Sequence, residues 1–297
     1  MTGRELAGGD VDVLIPTCDR PGALAVTLTG LLGQTVQGFR VTISDQTPEC
    51  DVASEPLVAG VLRVLRARGV EVDVLRNLPR RGMAQQRHFL LMQARASHVL
   101  FLDDDVLLGP EALQRLLSAM SALHCGAVGM PVTGLSYVDD VRPAEHRAFE
   151  PVRGPVEPER LRKGDPGWER WRLHNAANPT HLGFALGYRD RTPGREWTAY
   201  KVAWTGGCVL FERAALLAVG GYGFWPELPA DHAGEDVVVQ LRVMEQAGAV
   251  GVLPADASHL ELPTTVTGRR VDAYAEVLDR RGGQTAPARR PRRADAH

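Results

Sequence analysis

Lysine is nearly absent from this chain. Among its 34 basic residues only Lys163 and Lys201 are lysines. We read the arginine excess as a mark of a GC-rich genome, not of function. Net charge is also missing: the balance of −2 gives no global field for nucleic acid or an acidic membrane. The four cysteines, Cys18, Cys50, Cys125 and Cys208, lie far apart with no C-x-x-C pair. That spacing indicates neither a zinc site nor a disulfide framework, and reduced thiols in a cytosolic protein are the simpler reading. No stretch approaches the roughly 18 uninterrupted apolar residues of a membrane span. The opening "MTGRELAGGD" lacks the apolar core of a signal peptide. These absences lead us to expect a cytoplasmic protein, with peripheral contact at the inner face of the membrane left open and the oligomeric state undetermined.

What is present is a chain of 297 residues, 44% of them hydrophobic. That is ample for one large domain, or one domain with an appended lobe. "VDVLIP" reads as a short buried strand, and "GALAVTLTGLLGQ" as a helix. "GFRVTISDQT" is a second strand ending at Asp45, and "EPLVAGVLRVLRARG" an amphipathic helix with Gly69 as its stop. "VEVDVL", "SHVLFLDDD" and "GAVGMPVTG" are expected as further strands. Between them lie helices over "GMAQQRHFLLMQARA" and "PEALQRLLSAMSAL", the latter with Pro110 in its first turn. Strands alternating with helices predict a doubly wound, mostly parallel α/β sheet with helices on both faces. In such sheets ligands bind beyond the carboxyl ends of the strands. Thr17, Cys18 and Asp19, Asp45, and Asp103 to Asp105 should therefore converge on one edge.

From 135 to 200 the pattern breaks into a segment rich in Pro, Gly, Arg and charge. A segment this long is a lid, a binding loop or disordered; Trp168, Trp171 and Phe184 favour partial order. Regular structure resumes with "YKVAWTGGCVLFERAALLAVGGYG", read as strand, Gly-Gly, strand and helix. "GEDVVVQLRVMEQAG" is a helix and "AVGVLP" a last strand. The Pro- and Arg-rich tail from Arg280 is expected to be disordered. The organisation expected is a main domain over 10–265, with a nucleotide-binding half (10–130) and an acceptor half (131–265). A C-terminal helix and basic tail follow over 266–297.

Three consecutive carboxylates at the end of an apolar strand are the strongest chemical signal. Strand alternation would point Asp103 and Asp105 one way and Asp104 the other. Carboxylates sharing a site repel, and a divalent cation removes the repulsion; oxygen ligands suit Mg²⁺ or Mn²⁺. The alternative is a solvated loop whose aspartate caps the next helix. Glu235 and Asp236 open a helix, where acidic side chains stabilise the dipole by about 0.3–1 kcal/mol; a general base near a cleft is the other reading. His259 follows a strand, as a structural histidine or a ligand. Trp204, Trp225, Trp168 and Trp171 are candidates either for buried packing or for stacking on sugar or acceptor.

Six motifs stand in order: "VDVLIPTCDRP", "VTISDQTP", "NLPRRGMAQQRHFLL", "VLFLDDDVLLGPEAL", "WTGGCVLFERAALLAVGGYG" and "GEDVVVQLRVMEQAG". Together, over residues 10–262, they resemble glycosyltransferase family 2, inverting enzymes of the GT-A fold. The resemblance implies a nucleoside-diphosphate sugar donor, UDP-sugars favoured, with Mn²⁺ or Mg²⁺ as cofactor. The acceptor would be a glycan, a lipid-linked sugar or a small molecule. It implies nucleotide-sugar contacts at Pro16, Thr17, Asp19, Arg20 and Asp45, and at Gly82 and Arg87 of a "G-x-x-x-x-R" element. It adds Asp103 and Asp104 of the D-x-D region, and Gly206 and Gly207 beside the donor sugar. It implies Asp105, Asp103 and His259 on the metal, and Asp236 as catalytic base with Glu235 beside it. Of the tryptophans, Trp204 and Trp225 are the ones we expect toward the acceptor. Two positions depart from the pattern. Asp45-Gln46-Thr47-Pro48 replaces the usual Asp-Asp-Gly-Ser, and His88 replaces the usual Asn after the arginine.

Other classes remain. A sugar nucleotidyltransferase shares the sheet and acidic ligands, but "PTCDRPGA" lacks that class's Gly-rich loop. A non-catalytic nucleotide-sugar-binding protein would keep the fold without turnover. A glycosidase reading of the carboxylates leaves a phosphate-type metal site unexplained.

Overall fold

A computed structural model describes residues 5–186 and 197–279. The first half alternates as expected: β1 (Val11–Thr17), α1 (Pro21–Leu32), β2 (Arg40–Asp45), α2 (Pro56–Ala67), β3 (Val72–Arg76), α3 (Met83–Gln93) and β4 (His98–Leu102). Next come β5 (Val106–Leu108), α4 (Ala112–Leu123), β6 (Ala127–Gly129), α5 (Asn178–Ala185), β7 (Thr198–Tyr200) and β8 (Cys208–Glu212). The chain continues through α6 (Arg213–Ala218), β9 (His232–Ala233), α7 (Glu235–Ala247), β10 (Ala249–Leu253), β11 (Ala257–His259) and β12 (Val271–Asp272).

Among the described residues, eight strands form one sheet in the order β3-β2-β1-β4-β8-β6-β10-β7. Only β8 and β7 run against the rest. The sheet is thus mostly parallel, and β8 stitches the two halves of the chain together by lying between β4 and β6. Every residue of β1 and β2 is buried, because helices cover both faces of these central strands. The β1–β2 register sets Asp12 opposite Arg40. Their buried ion pair, 2.9 Å from Nε to Oδ1, is completed by the amides of Arg95 and Ala96. Gly69 ends α2 as expected: its φ of +82° takes the left-handed turn, and its N–H donates to the Arg66 carbonyl.

The strand order reverses beside β1: β2 and β3 lie on one side, β4 on the other. The crevice beyond the carboxyl ends of β1 and β4 is where such sheets bind ligands. Four readings need correction. The fourth strand stops at Leu102, and Asp103 to Asp105 form a turn closed by the Val106 amide on the Asp103 carbonyl. The alternation expected of their side chains fails because it holds only for extended backbone. The strand expected over "YKVAW" is only β7, ending at Tyr200, and the fifth strand is three residues long. In its described part the segment 135–200 carries 3₁₀ helices over Leu135–Tyr137, Glu145–Ala148 and Pro166–His174, then α5 and β7. The tail from Arg280 lies outside the described residues.

Two short pairings then frame the crevice. β11 pairs antiparallel with β5, setting His259 opposite Val106. β12 pairs parallel with β9, setting Val271 opposite His232. The chain from Leu260 to Arg270 therefore spans from the Asp103–Asp105 turn to the start of α7.

Candidate active site

Beyond the ends of β1 and β4 lies a cleft of about 360 Å³. Its lining includes Thr17 and Arg20 after β1, Asp103 to Asp105 after β4, and Glu235 and Asp236 at the start of α7. His259 and residues of the 260–270 segment complete the wall. The two acidic elements, 133 positions apart between Asp103 and Asp236, thus face one space.

Each aspartate has a cationic partner from the chain itself. Asp103 accepts from Arg87 Nη2 at 2.7 Å, and Glu235 accepts from Arg87 Nη1 at 2.6 Å. One buried guanidinium thereby ties the two acidic elements together. Burial works against the arginine's charge, but the carboxylates of Asp103 and Glu235 outweigh it and raise its pKa. Asp104 accepts from the Thr17 hydroxyl at 2.7 Å and from Arg20 Nη1 at 3.3 Å. Asp105 accepts from the same Arg20 nitrogen at 2.5 Å and lies 3.3 Å from His259 Nε2. Asp103 is the most open of the three, its side chain 32% exposed against 10% and 6% for Asp104 and Asp105.

These surroundings separate the carboxylates. Burial pushes Asp104 up to about 7, with the neighbouring Asp105 charge adding to the rise. Burial would also raise Asp105, but His259 and Arg20 outweigh it and hold this carboxyl below its ordinary value. Burial pushes Asp236 up to about 6; the Glu235 charge adds to this and Arg87 works against it. A carboxylate so tuned is a stronger base than an ordinary one and is still largely ionised near neutral pH.

The two histidines of the site differ. His232 donates from Nδ1 to the Pro229 carbonyl at 2.6 Å, and its Nε2 accepts from the Ala84 amide at 3.1 Å. That network assigns a neutral ring, which burial favours. Its 3.7 Å approach to Glu235 is then no ion pair. His259 accepts the Glu261 amide at Nδ1, 2.7 Å away, which leaves the proton on Nε2, facing Asp105. In this tautomer the ring offers a cation no lone pair at Nε2, although Asp105 favours its charged form. Among the described residues no three His, Cys, Asp or Glu side chains group as a ready-made metal site. The carboxylate oxygens of Asp103 and Asp105 suit a hard divalent cation chemically; it is Arg20 that now occupies Asp105.

Other expected residues sit elsewhere. Asp45 is fully buried and spent on its own loop: it accepts the amides of Thr47 and Val52 and pairs with Arg76 at 2.7 Å. Asp19 lies exposed at the rim, 3.7 Å from Arg80. Gly206 and Gly207 border a second depression beside Asp103 and His259, together with Tyr137 and His174. Trp204 packs against Trp168 and Trp171, with centroids 5.1 and 6.4 Å away. Trp225 lies under the Arg81 guanidinium, 5.7 Å from its centroid. Sequence reasoning missed His232 and the 260–270 segment, and took Arg20 only for a nucleotide contact. No local pattern marks them; they reach the cleft only through the fold.

Gly82 precedes α3 at φ +89°. A Cβ there would lie 2.5 Å from the Ala230 carbonyl oxygen and 2.9 Å from His232 Cε1. Gly82→Ala should therefore cost about 1–3 kcal/mol through backbone strain and shift the loop that carries His232. Thermal melting checks it; an unchanged midpoint would show that the loop yields freely.

The profile of glycosyl transferase family 2 matches residues 12–178, more than half of the chain. The chain belongs to glycosyl transferase family 2. The matched span holds Thr17, Arg20, Arg87 and the three aspartates; Glu235, Asp236 and His259 lie beyond it. No curated protein matches this family 2 chain. It is similar in fold to the mannosyltransferase PcManGT of Pyrobaculum calidifontis, in complex with GDP-Man and Mn²⁺: 16% identity, TM-score 0.52, over 86% of this chain and 58% of that one. It is similar to S. aureus TarS 1-349 in complex with UDP-GlcNAc: 16% identity, TM-score 0.53, over 86% and 60%. It is also similar to GalNAc-T7 with UDP, GalNAc and Mn²⁺: 13% identity, TM-score 0.55, over 86% and 45%. The match spans 45–60% of the length of these solved chains. Membership places the chain in glycosyl transferase family 2, and its fold is the GT-A architecture. Among the described residues no helix is long and apolar enough to cross a membrane.

Proposed function

We propose that this family 2 chain is an inverting transferase that moves a hexosyl group from a nucleoside-diphosphate sugar, UDP-linked by preference, to an acceptor hydroxyl. The observation that carries the reading is the single cleft in which Asp103–Asp105 faces Glu235–Asp236, with Arg87 bridging the two. Pro16, Thr17 and Arg20 line the part of the cleft next to β1 and would meet the nucleotide. Asp105 and Asp103 would hold a divalent cation, Mn²⁺ or Mg²⁺, with His259 joining only as the other tautomer, its proton on Nδ1 and the bond from the Glu261 amide given up. Such a cation, when bound, would stabilise charge on the departing diphosphate.

Asp236 is the base. Its carboxylate takes the proton of the acceptor hydroxyl as that oxygen bonds to the anomeric carbon. The bond from that carbon to the diphosphate oxygen breaks on the opposite face, so the configuration inverts in one displacement. Arg87 orients Glu235 beside the base and Asp103 toward the donor. The acceptor is a glycan, a lipid-linked sugar or a small hydroxylated molecule. The irregular segment 135–200 is where its identity is read.

A melting screen against UDP-, GDP- and dTDP-sugars, with and without Mn²⁺, tests the donor. The true donor at 100 times its dissociation constant should stabilise the fold by about 2.7 kcal/mol. EDTA should remove most of that gain. Nuclear magnetic resonance of the product should give an anomeric configuration opposite to the donor's; retention overturns the single displacement. No response to any nucleotide sugar overturns the reading as a whole.

A further inference from the structure

Two of the three aspartates of the turn share one arginine of the chain itself. Arg20 Nη1 reaches Asp104 Oδ1 at 3.3 Å and Asp105 Oδ2 at 2.5 Å. Its other terminal nitrogen, Nη2, donates to the carbonyl of Pro263. One planar fork is thus split between the acidic turn and the 260–270 segment. That segment has no helix or strand of its own. Arg80 Nη2 adds a second tie, donating to the Thr265 carbonyl at 2.8 Å. Leu262, Thr264, Thr265, Val266 and Arg269 consequently form one wall of the cleft. The ends of the segment are fixed by β11 against β5 and by β12 against β9. Only its middle depends on these two arginines.

We propose that Arg20 is a latch. It occupies Asp105 in the unliganded cleft and, through Pro263, holds the 260–270 strap across the nucleotide space until a divalent cation displaces it. The inference rests on the metal-dependent reading above. A cation on Asp105 Oδ2 would share that oxygen with a guanidinium 2.5 Å away, and two positive charges so close repel. A cation that takes Asp105 Oδ2 therefore favours release of Arg20, and freeing Arg20 removes one of the two arginine ties to the middle of the strap. By reciprocity, whatever holds the strap closed weakens cation binding by the same factor. The freed guanidinium, with its rigid bidentate donors, then suits the diphosphate that arrives with the cation.

The test uses the full chain without donor. Mn²⁺ binding is measured by calorimetry, and hydrogen exchange of the 260–270 amides with and without Mn²⁺, for the wild type, Arg20→Gln and Arg20→Lys. In the wild type, Mn²⁺ should speed exchange across the strap. Arg20→Gln should exchange fast without metal and bind Mn²⁺ about tenfold tighter, since a competing charge-assisted bond is gone. Arg20→Lys keeps the charge but loses the fork, and should fall between the two. Mn²⁺ binding that is equal or weaker in Arg20→Gln overturns the latch, as does strap exchange that ignores Mn²⁺. Wild-type strap exchange in Arg20→Lys overturns the role of the fork. No Mn²⁺ binding by any of the three also overturns it. Sugar transfer, assayed separately, shows whether the catalytic reading survives such a result.

Discussion

Asp236→Asn should abolish sugar transfer while leaving nucleotide-sugar binding intact. Asparagine keeps the shape of the side chain and cannot accept a proton. Loss of a positioned base typically costs about 10²–10⁴ in rate, and the loss should appear in kcat. In the wild type, kcat/KM should fall on the acid side with a limb near 6, because Asp236 must be ionised to act and burial has pushed its pKa to about 6. That limb should vanish with the residual activity of the variant. The same substitution should stabilise the fold. The folded pKa lies above the ordinary 3.8, so the folded state binds the proton more tightly than the unfolded one. Its favourable contribution is complete below about pH 4 and is lost as pH rises through about 6. Near pH 7 the wild type carries a buried charge beside Glu235 that asparagine lacks. The variant should therefore melt a few degrees higher there, about 1 kcal/mol on the scale of a domain this size, with no gain near pH 4. Retained turnover removes Asp236 from the mechanism. A lower melting point near pH 7 would instead mean that Arg87 stabilises the Asp236 charge more than burial opposes it.

Arg87→Met is the second large effect, and it falls on the fold first. Methionine fills much of the same space but leaves Asp103 and Glu235 without their shared counter-ion. Breaking a buried pair in this way typically costs about 3–5 kcal/mol, and here one cation serves two carboxylates. The melting midpoint should drop by about 10 °C. Adding Glu235→Gln to Arg87→Met should restore part of the loss, because one orphaned charge disappears. A double-mutant cycle measures that coupling. Arg87→Lys should fall between wild type and Arg87→Met, since a single ammonium cannot reproduce the fork. In whatever folded protein remains, the acid limb of kcat/KM should move upward, because Arg87 is the group that pulls Asp236 down. Wild-type melting of Arg87→Met would show that the bridge contributes nothing to stability.

Much of this could be read from the residues alone. The apolar runs of β1, β2 and β4 and the helices between them sufficed for a parallel sheet, because burial on both faces demands such runs. Asp103–Asp105 and Glu235–Asp236 declared themselves by an unusual density of carboxylate at element ends. Length and alternation left other features hidden. The antiparallel insertion of β8 depends on pairing between segments more than a hundred residues apart, as with His98 opposite Glu212. α5 was lost in a stretch whose composition reads as loop. Asp45 has the residue type of a nucleotide contact, yet it serves its own loop and Arg76.

The sequence by itself determined the sheet, the edge on which the polar loops gather, and the family motifs that predict a sugar transferase. Tertiary structure alone decided which charge answers which. Arg87 joins the two acidic elements, Arg20 reaches both Asp104 and Asp105, and His259 adds to it at Asp105. The turn at Asp103 overrides the alternation that a strand would impose. The reason is physical. Periodicity reports which face of an element is buried, a local property of backbone geometry. A charge partner is chosen by distance through space, and that distance exists only once the chain has folded.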